Sequence, residues 1–223
     1  MIKTLLHKDL LLEIRSKETV ALFATLSLLL TVISAVGIHS SFLNPEEVRK
    51  IFPVLIWLIF IFSSTISISK SFEYEIKNNA LEGLFLTGIS PWTIFISKLL
   101  TNIIIVLAVH LLTIILLASF LTTPILESFH HYAILSSLVV IGYCSLSTLL
   151  TPISLSSRLK GLLLPLILLP LLFPILFAAL ELSSQIMLEG SLDLGSLAFT
   201  LLLVFDVIYF TAAINLFSFV VHE

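Results

Sequence analysis

The chain has 223 residues, of which 58% are hydrophobic and only 11% are charged. Soluble domains carry about 25% charged residues, so this composition excludes a soluble globular protein. The net charge of −3 does not indicate a nucleic-acid-binding surface, and the single cysteine excludes both an internal disulfide and a cysteine-based metal cluster. The sequence therefore predicts an integral membrane protein.

The first predicted element is a helix over residues 2–17. On a helical wheel its polar residues Lys8 and Glu13 share one arc, and its leucines lie mostly opposite. Asp9 and Arg15 interrupt the apolar side, so the amphipathic pattern is moderate. The pattern predicts a helix that lies in the cytoplasmic membrane interface. A cleaved signal peptide is the competing interpretation, but the apolar run that follows is long and no clear small-x-small site ends it.

Six long apolar runs follow this helix. A helix crosses the ~30 Å hydrocarbon core with about 20 residues, and each run is long enough. The runs must be helical because lipid offers the backbone no hydrogen-bond partners. The predicted spans are residues 20–38, 51–69, 94–121, 132–155, 162–182 and 196–220. The predicted fold is an all-α membrane protein with six transmembrane helices in one domain, residues 1–223, preceded by the amphipathic helix.

Lysine and arginine residues predict the orientation of the spans, because they are enriched on the cytoplasmic side. Only Arg49 and Lys50 fall on one side of the predicted topology. Nine fall on the other side: Lys3, Lys8, Arg15, Lys17, Lys70, Lys77, Lys98, Arg158 and Lys160. This distribution predicts that both termini lie in the cytoplasm.

The connection over residues 73–93 is the longest one on the predicted cytoplasmic side. Leu81, Leu84 and Phe85 fall at helical spacing, with Glu82 among them. The pattern predicts a short helix with an apolar face and no evident surface of this chain to cover that face. Two interpretations remain open: the helix rests on lipid, or it docks on a cytoplasmic partner.

Residues 83–90, GLFLTGIS, approach the phosphate-binding consensus GxxxxGK[ST], but Ile89 stands where the lysine is required. We therefore expect no nucleotide to bind here, and a partner would have to supply any nucleotide site. The sequence has no GxSxG motif, no HExxH motif and no pair of intramembrane aspartates. It predicts no catalytic residue and no metal ligand.

Three prolines lie within the fifth predicted span: Pro165, Pro170 and Pro174. Each proline removes a backbone donor and clashes with the carbonyl four residues earlier. Two interpretations fit this pattern. The span is either a permanently kinked and well-packed helix or a hinge that changes shape during a transport cycle.

Asp206 and His110 are ionisable residues deep within the apolar spans, and such residues are costly in a membrane. Asp206 lies near the middle of the sixth span, where insertion costs ~2.5–3.5 kcal/mol, so it must face protein or water. His110 in the third span and Tyr209 are its candidate partners. Asp206 is interpreted either as a structural hydrogen-bonding residue or as a substrate or proton site, and His110 as a hydrogen-bonded core histidine. Trp57 and Trp92 are interpreted as interfacial anchors.

Two segments resemble the CcmB family of haem exporter B, or cytochrome c biogenesis, permeases. The first begins with ALEGLFL at residues 80–86 and continues to Ser97-Lys98, and the second is SLSSRLKG at residues 154–161 with the apolar run after it. The amphipathic start, the six spans and the length also agree, so the resemblance covers essentially the whole chain. The chain departs from the family pattern at Asn79, where glycine is usual, and at Gly88, where proline is common.

The resemblance implies an architecture of the ABC-2 permease type, in which a cytoplasmic coupling helix contacts a separate ATPase subunit. The residues that it assigns to this contact are Leu81, Glu82, Leu84, Phe85 and Arg158. It implies a non-catalytic permease subunit of an ATP-driven complex for cytochrome c maturation in the bacterial inner membrane. The alternative is an ABC permease that exports another substrate, such as a lipid or a drug.

The resemblance also implies the partners of the chain. They are a cytoplasmic ABC ATPase, a haem-handling membrane subunit, membrane lipid and, indirectly, a periplasmic haem chaperone, with two copies of this chain per complex and no nucleic acid. We expect the chain itself to bind no cofactor directly. ATP would be bound by the ATPase, and haem would be handled by the complex.

Overall fold

The computed structural model describes residues 2–77, 88–156 and 163–222. These residues form seven α-helices and one short 3₁₀ helix, without any strand. The α-helices are α1 (Ile2–Ser16), α2 (Glu18–Ser40), α3 (Pro45–Lys77), α4 (Pro91–Phe120), α5 (Phe129–Ser156), α6 (Leu163–Glu189) and α7 (Leu197–His222). The 3₁₀ helix, Pro124–Ser128, lies between α4 and α5. The predicted all-α fold is confirmed.

The six helices α2 to α7 are long and apolar enough to cross a membrane, which confirms the predicted number of six transmembrane helices. Helix α3 is longer than its apolar part, because its apolar portion ends at Ile68 while the helix runs to Lys77. Because the six helices would cross the membrane in succession, the connections between them lie alternately at its two faces. The N-terminal helix α1 lies at one face, and the loop between α2 and α3 lies at the other.

Helix α3 begins six residues before the predicted apolar run, and a reciprocal cap explains its start. The backbone N–H of Glu47 donates to Asn44 Oδ1, and the backbone N–H of Asn44 donates to Glu47 Oε2, each at 2.9 Å. Pro45 occupies the first helical position, where a missing N–H costs nothing. The capping box therefore extends the helix beyond the hydrocarbon core.

Helix α5 forms the centre of the bundle. It packs against α3, α4, α6 and α7. In its apolar stretch 67% of the residues are buried, compared with 22% in the apolar stretch of α2. Small residues along α5, including Gly142, Ser145 and Ser147, let the neighbouring backbones approach closely. The periphery of the bundle, α2 above all, is left to face lipid.

Side-chain hydrogen bonds join the spans inside this apolar packing. Asn102 Nδ2 in α4 donates to Thr148 Oγ1 in α5 at 3.0 Å. Ser67 Oγ in α3 donates to the carbonyl of Thr19 in α2 at 2.8 Å. Between membrane helices such bonds contribute about 0.6 kcal/mol on average, so they orient the helices more than they stabilise the fold.

Candidate functional site

The residues assigned to the ATPase contact, Leu81, Glu82, Leu84, Phe85 and Arg158, lie outside the described residues. The structure does describe both flanks of this segment, namely the end of α3 at Lys77 and the chain from Gly88 onward. The contacts made by these two flanks are therefore the described part of the candidate site.

The flank on the C-terminal side of this segment is a turn that begins at Gly88 and leads into α4. Gly88 has φ +73°, a backbone conformation that proline cannot adopt because its ring fixes φ near −65°. Ser90 is extended ahead of Pro91, as a residue before proline must be. The hydroxyl groups of Ser90 and Thr93 are 2.7 Å apart, within hydrogen-bonding distance. This turn therefore sets where α4 begins.

A buried ion pair joins α1 to α4 close to this turn. Asp9 Oδ1 lies 3.4 Å from Lys98 Nζ, and Asp9 Oδ2 accepts a hydrogen bond from Ser97 Oγ at 3.2 Å. The Oδ1 contact is an ion pair without hydrogen-bond geometry. The Asp9 and Lys98 side chains are only 3% and 8% exposed. The sequence showed Asp9 only as an interruption of an apolar face, whereas the structure makes it the contact between two helices.

Two further charged residues of α1 lie close to this ion pair at the contact between α1 and α4. Glu13, one turn after Asp9, is also buried, and Lys8 Nζ lies 3.1 Å from Asp9 Oδ1 at the exposed edge. The helix α1 also contacts α2. Helix α1 is therefore joined to the start of α4 by Asp9 and Lys98, two charged groups that are shielded from water.

The middle of the bundle holds an aromatic cluster around His110. Its ring centroid lies 4.7 Å from that of Phe60 and 5.1 Å from that of Trp57, and its side chain is fully enclosed. Neither ring nitrogen has a hydrogen-bond partner among the described residues. The expectation of a hydrogen-bonded core histidine is therefore not met in this part of the chain.

The interpretation of Trp57 as an interfacial anchor is wrong. Its side chain is 2% exposed, and its Nε1 donates to Ser183 Oγ in α6 at 2.7 Å. Ser183 also accepts a hydrogen bond at its backbone carbonyl from Tyr132 in α5, at 3.1 Å. Trp57 thus ties α3 to α6 inside the bundle. Trp92, by contrast, is 51% exposed.

Asp206 lies where α5, α6 and α7 meet. It is 7% exposed, and neither carboxylate oxygen has a hydrogen-bond partner within the described ranges. Its two candidate partners, His110 and Tyr209, are bonded neither to it nor to each other. The Tyr209 hydroxyl instead donates to the backbone carbonyl of Leu171 in α6. The carboxyl group of Asp206 faces Gly142 in α5, where a side chain would collide with it.

The prolines of α6 are close to this three-helix contact. Pro170 and Pro174 lie inside the helix, on either side of Leu171, whose carbonyl accepts the Tyr209 hydrogen bond. Pro165 lies in the first turn of the helix, where the N–H groups have no intrahelical acceptor. The two internal prolines are therefore the ones that can bend the part of α6 packed on α7.

A protein-family profile described as CcmB protein matches residues 1–221, which is almost the entire chain. The chain belongs to the CcmB family. This membership makes it a membrane component of the haem exporter of cytochrome c biogenesis and a subunit of a multi-subunit complex. No curated protein matches the chain significantly.

The CcmB family and the six apolar helices agree on a multi-pass protein of the inner membrane. A CcmB protein is a membrane subunit of an ABC-type exporter and is not itself the catalytic subunit. For such a subunit, the groups of interest are those that join helices, and in the described part of this CcmB chain two of the contacts given above involve a buried aspartate. One is the buried charge pair between α1 and α4, and the other is the contact of Asp206 with Gly142.

Proposed function

We propose that this chain is the membrane subunit through which ATP hydrolysis on a separate cytoplasmic ATPase drives cytochrome c maturation. The family match over residues 1–221 carries this proposal. Residues 73–93 dock on the ATPase, with Leu81, Leu84 and Phe85 as apolar anchors and with Glu82 and Arg158 contributing charge. Helices fill partner grooves with anchors at i, i+3 and i+4, which is the spacing of these three residues.

The surroundings of this segment support a coupling role. The pair of Asp9 with Lys98 joins α4 to α1 ten residues after Gly88, so a displacement of the start of α4 would be passed on to α1. Packed helices transmit small displacements because their interiors are not continuously deformable. A segment that only rested on lipid would not require such a support.

The other partners follow from the same proposal. Two copies of the chain act with a haem-handling membrane subunit, and ATP hydrolysis frees a haem-loaded periplasmic chaperone. The chain itself binds neither ATP nor haem, since Ile89 replaces the phosphate-binding lysine and no axial ligand pair is evident in the sequence.

Phe85→Asp tests the docking role. We expect the variant to insert normally, because insertion depends on the six spans and their basic flanks. We expect co-purification of the ATPase to fall at least about tenfold and cytochrome c maturation to stop, since buried interface anchors contribute about 2 kcal/mol or more. Recovery of the ATPase from detergent extracts, normalised to the inserted chain, measures the effect.

Leu86→Asp is the matched control for this experiment. On a helix it lies about 100° away from Phe85 and off the face of the three anchors. We expect it to retain most of the ATPase. Leu84→Asp, on the anchor face, is expected to behave like Phe85→Asp. Wild-type recovery of the ATPase with both anchor variants would leave the lipid-resting interpretation in place.

We further propose that both termini lie in the cytoplasm, because basic residues divide nine to two between the two faces. Reporter fusions after Pro45, Glu127 and Glu189 are expected to report a periplasmic location. Fusions after Lys77 and Arg158 are expected to report a cytoplasmic location. Reversed signals at two of the five positions would contradict this orientation.

A further inference from the structure

The side chain of Asp206 is enclosed in the middle of the membrane-spanning bundle. It lies near the centre of the apolar stretch Leu197–Phe219 of α7, and it is 7% exposed. Gly142 in α5 leaves room for its carboxyl group, and Ile175 Cδ1 of α6 lies against the same glycine. The packing here is too close to admit even a methyl group on Gly142. A carboxyl group is therefore held inside a close-packed contact of three helices.

This carboxyl group has none of the contacts that ordinarily stabilise a carboxylate away from water. Neither of its oxygens accepts a hydrogen bond from the described part of the chain. No basic side chain in the described ranges lies within ion-pair distance of it. Tyr209 lies one turn further along α7, but its hydroxyl donates to the backbone carbonyl of Leu171 instead.

The titratable side chains of the helices packed on α7, which are α4, α5 and α6, do not supply the missing charge. Lys98 of α4 is paired with the carboxylate of α1, and His110 lies against aromatic rings of α3. The hydroxyl of Tyr143 in α5 donates to a hydroxyl group of α3. The other titratable side chains of these three helices, none of them basic at neutral pH except for the histidines of the loop end, are His130, His131, Tyr132, Cys144, Glu181 and Glu189.

The charged and the neutral forms of such a group differ greatly in cost. An ionised carboxylate that leaves water for an apolar interior without a partner loses far more solvation free energy than the neutral acid does. Groups in this position take up a proton and become neutral. The surroundings of Asp206 therefore favour the protonated acid as long as the three helices are packed together.

We infer that Asp206 is a proton-binding site, which holds a proton while α5, α6 and α7 are packed together and releases it when these helices separate. On separation, water reaches the carboxyl group, its O–H bond breaks, the proton passes to water and the carboxylate remains. On closure, the carboxylate takes a proton back from water. Opening of the three-helix contact is thereby linked to the release of one proton. This proton site is independent of the ATPase contact proposed above.

The prolines of α6 place a point of bending at this contact. Pro170 and Pro174 each remove a backbone hydrogen bond from α6, and Pro174 directly precedes Ile175. A change in the bend of α6 would move Ile175 away from α5 and would break the hydrogen bond of Tyr209 to Leu171. The freed hydroxyl would then be available to the carboxylate one turn earlier on α7, and a hydrogen bond there would stabilise the charged form in the open arrangement.

Infrared spectroscopy of the full chain in phosphatidylcholine vesicles tests the inference, with carbon-13 at the side-chain carboxyl group of every aspartate. The chain has three aspartates, Asp9, Asp193 and Asp206, so few carboxyl groups carry the label. A protonated acid gives a C=O stretching band that is separate from the carboxylate bands. We expect the labelled acid band in the wild type at about pH 7, where an aspartate in water is ionised, and its loss in Asp206→Asn.

Asp193→Asn is the matched control. Asp193 lies in the exposed loop between α6 and α7, where its Oδ1 accepts a hydrogen bond from the backbone N–H of Gly195 at 2.9 Å. We expect this variant to keep the acid band. Absence of the band from the wild type would overturn the inference, whatever the variants do. Persistence of the band in Asp206→Asn, or its loss in Asp193→Asn, would overturn it as well.

The pH dependence of opening is an independent test. Cys144 is completely buried two residues after Gly142, so a thiol-reactive fluorophore labels it when the helices around α5 open. The labelling rate of the wild type is divided by that of Asp206→Asn at the same pH, which cancels the reactivity of the thiol itself.

Opening releases a proton in the wild type but not in Asp206→Asn, so a rise in pH favours opening in the wild type alone. We expect the ratio of the two rates to increase by up to about tenfold per pH unit between about pH 5 and pH 7, the dependence for release of one proton. A ratio that stays constant or falls as the pH rises would overturn the inference.

Discussion

Gly142→Ala is expected to destabilise the membrane domain by about 1–3 kcal/mol, the usual cost of overpacking a close-packed interior. A Cβ atom at Gly142 would collide with Asp206 Oδ1 and with Ile175 Cδ1. These two atoms are side-chain ends on α7 and α6, so the new methyl group would force two buried side chains out of their positions at once. The hydrogen bond of Tyr209 to Leu171 joins α7 to α6 and limits how far the two helices can separate from each other.

Cys144 provides the measurement. It is the only cysteine of the chain, it is completely buried, and it lies two residues after Gly142 on the same helix. A thiol-reactive fluorophore added during a temperature ramp in detergent therefore reports opening of this contact. We expect the midpoint of labelling to fall in Gly142→Ala.

Gly37→Ala is the control for replacing a glycine by alanine within a membrane-spanning helix. Gly37 also lies within a span, α2, but nothing occupies the space within 4 Å of its added Cβ. Alanine favours a helix over glycine by about 1 kcal/mol, so this variant should be neutral or more stable. Equal effects of the two substitutions would show that the close approach of Asp206 to Gly142 does not contribute to stability.

A second variant, Ile175→Val, tests whether the steric clash with Ile175 causes the loss of stability in Gly142→Ala. Ile175→Val removes one of the two atoms that the new methyl group would meet, and alone it should cost about 0.5–1.5 kcal/mol. Combined with Gly142→Ala, it should cost less than the sum of the two single changes. Residues in direct contact typically show such coupling energies of 0.5–3 kcal/mol.

Asp9→Ala is expected to weaken the docking of α1 on α4 by about 3–5 kcal/mol, because it removes one partner of a buried ion pair. The substitution leaves the charge of Lys98 buried without this carboxylate and leaves Ser97 without its acceptor. Hydrogen exchange of the backbone amides in α1, followed by mass spectrometry, should rise sharply. Exchange in α5 should stay as in the wild type, because the change is local.

The double variant Asp9→Leu with Lys98→Met tests whether the loss of protection in Asp9→Ala comes from the unpaired charge of the ion pair or from a general disturbance of the packing. Replacing both members of a buried ion pair by apolar residues of similar size is often neutral or stabilising, so protection of α1 should return. Glu18→Ala, at an exposed position in the first turn of α2, is the control for loss of an acidic residue and should change little. Failure of the double variant to restore protection would contradict the ion-pair explanation.

The six spans could be predicted because lipid forces every apolar run of this length to be helical, whatever its neighbours are. The start of α3 at Pro45 was not predicted, because the apolar run begins at residue 51 and the capping box of Asn44 and Glu47 lies before it. The contacts between helices could not be read in the same way. Trp57 bonds to a serine 126 positions later, and no local pattern specifies that distance.

The polar residues of the spans show the same limit. Apolar residues do not reveal which face meets lipid and which meets protein, since both surroundings are apolar. The choice of His110 or Tyr209 as a partner for Asp206 was made on residue type, but Tyr209 bonds to a backbone carbonyl instead. Asp9 was noticed only as an irregularity, because its partner Lys98 lies on another helix.

The ion pair of Asp9 with Lys98 has a consequence for how the protein is made. Helix α1 is synthesised before α4, and Lys98 is encoded 89 positions after Asp9, beyond two complete spans. At 5–20 residues per second, translation needs about 5–20 s to deliver Lys98. During that interval Asp9 must remain solvated at the membrane surface, so α1 becomes part of the bundle only after the third span has been inserted.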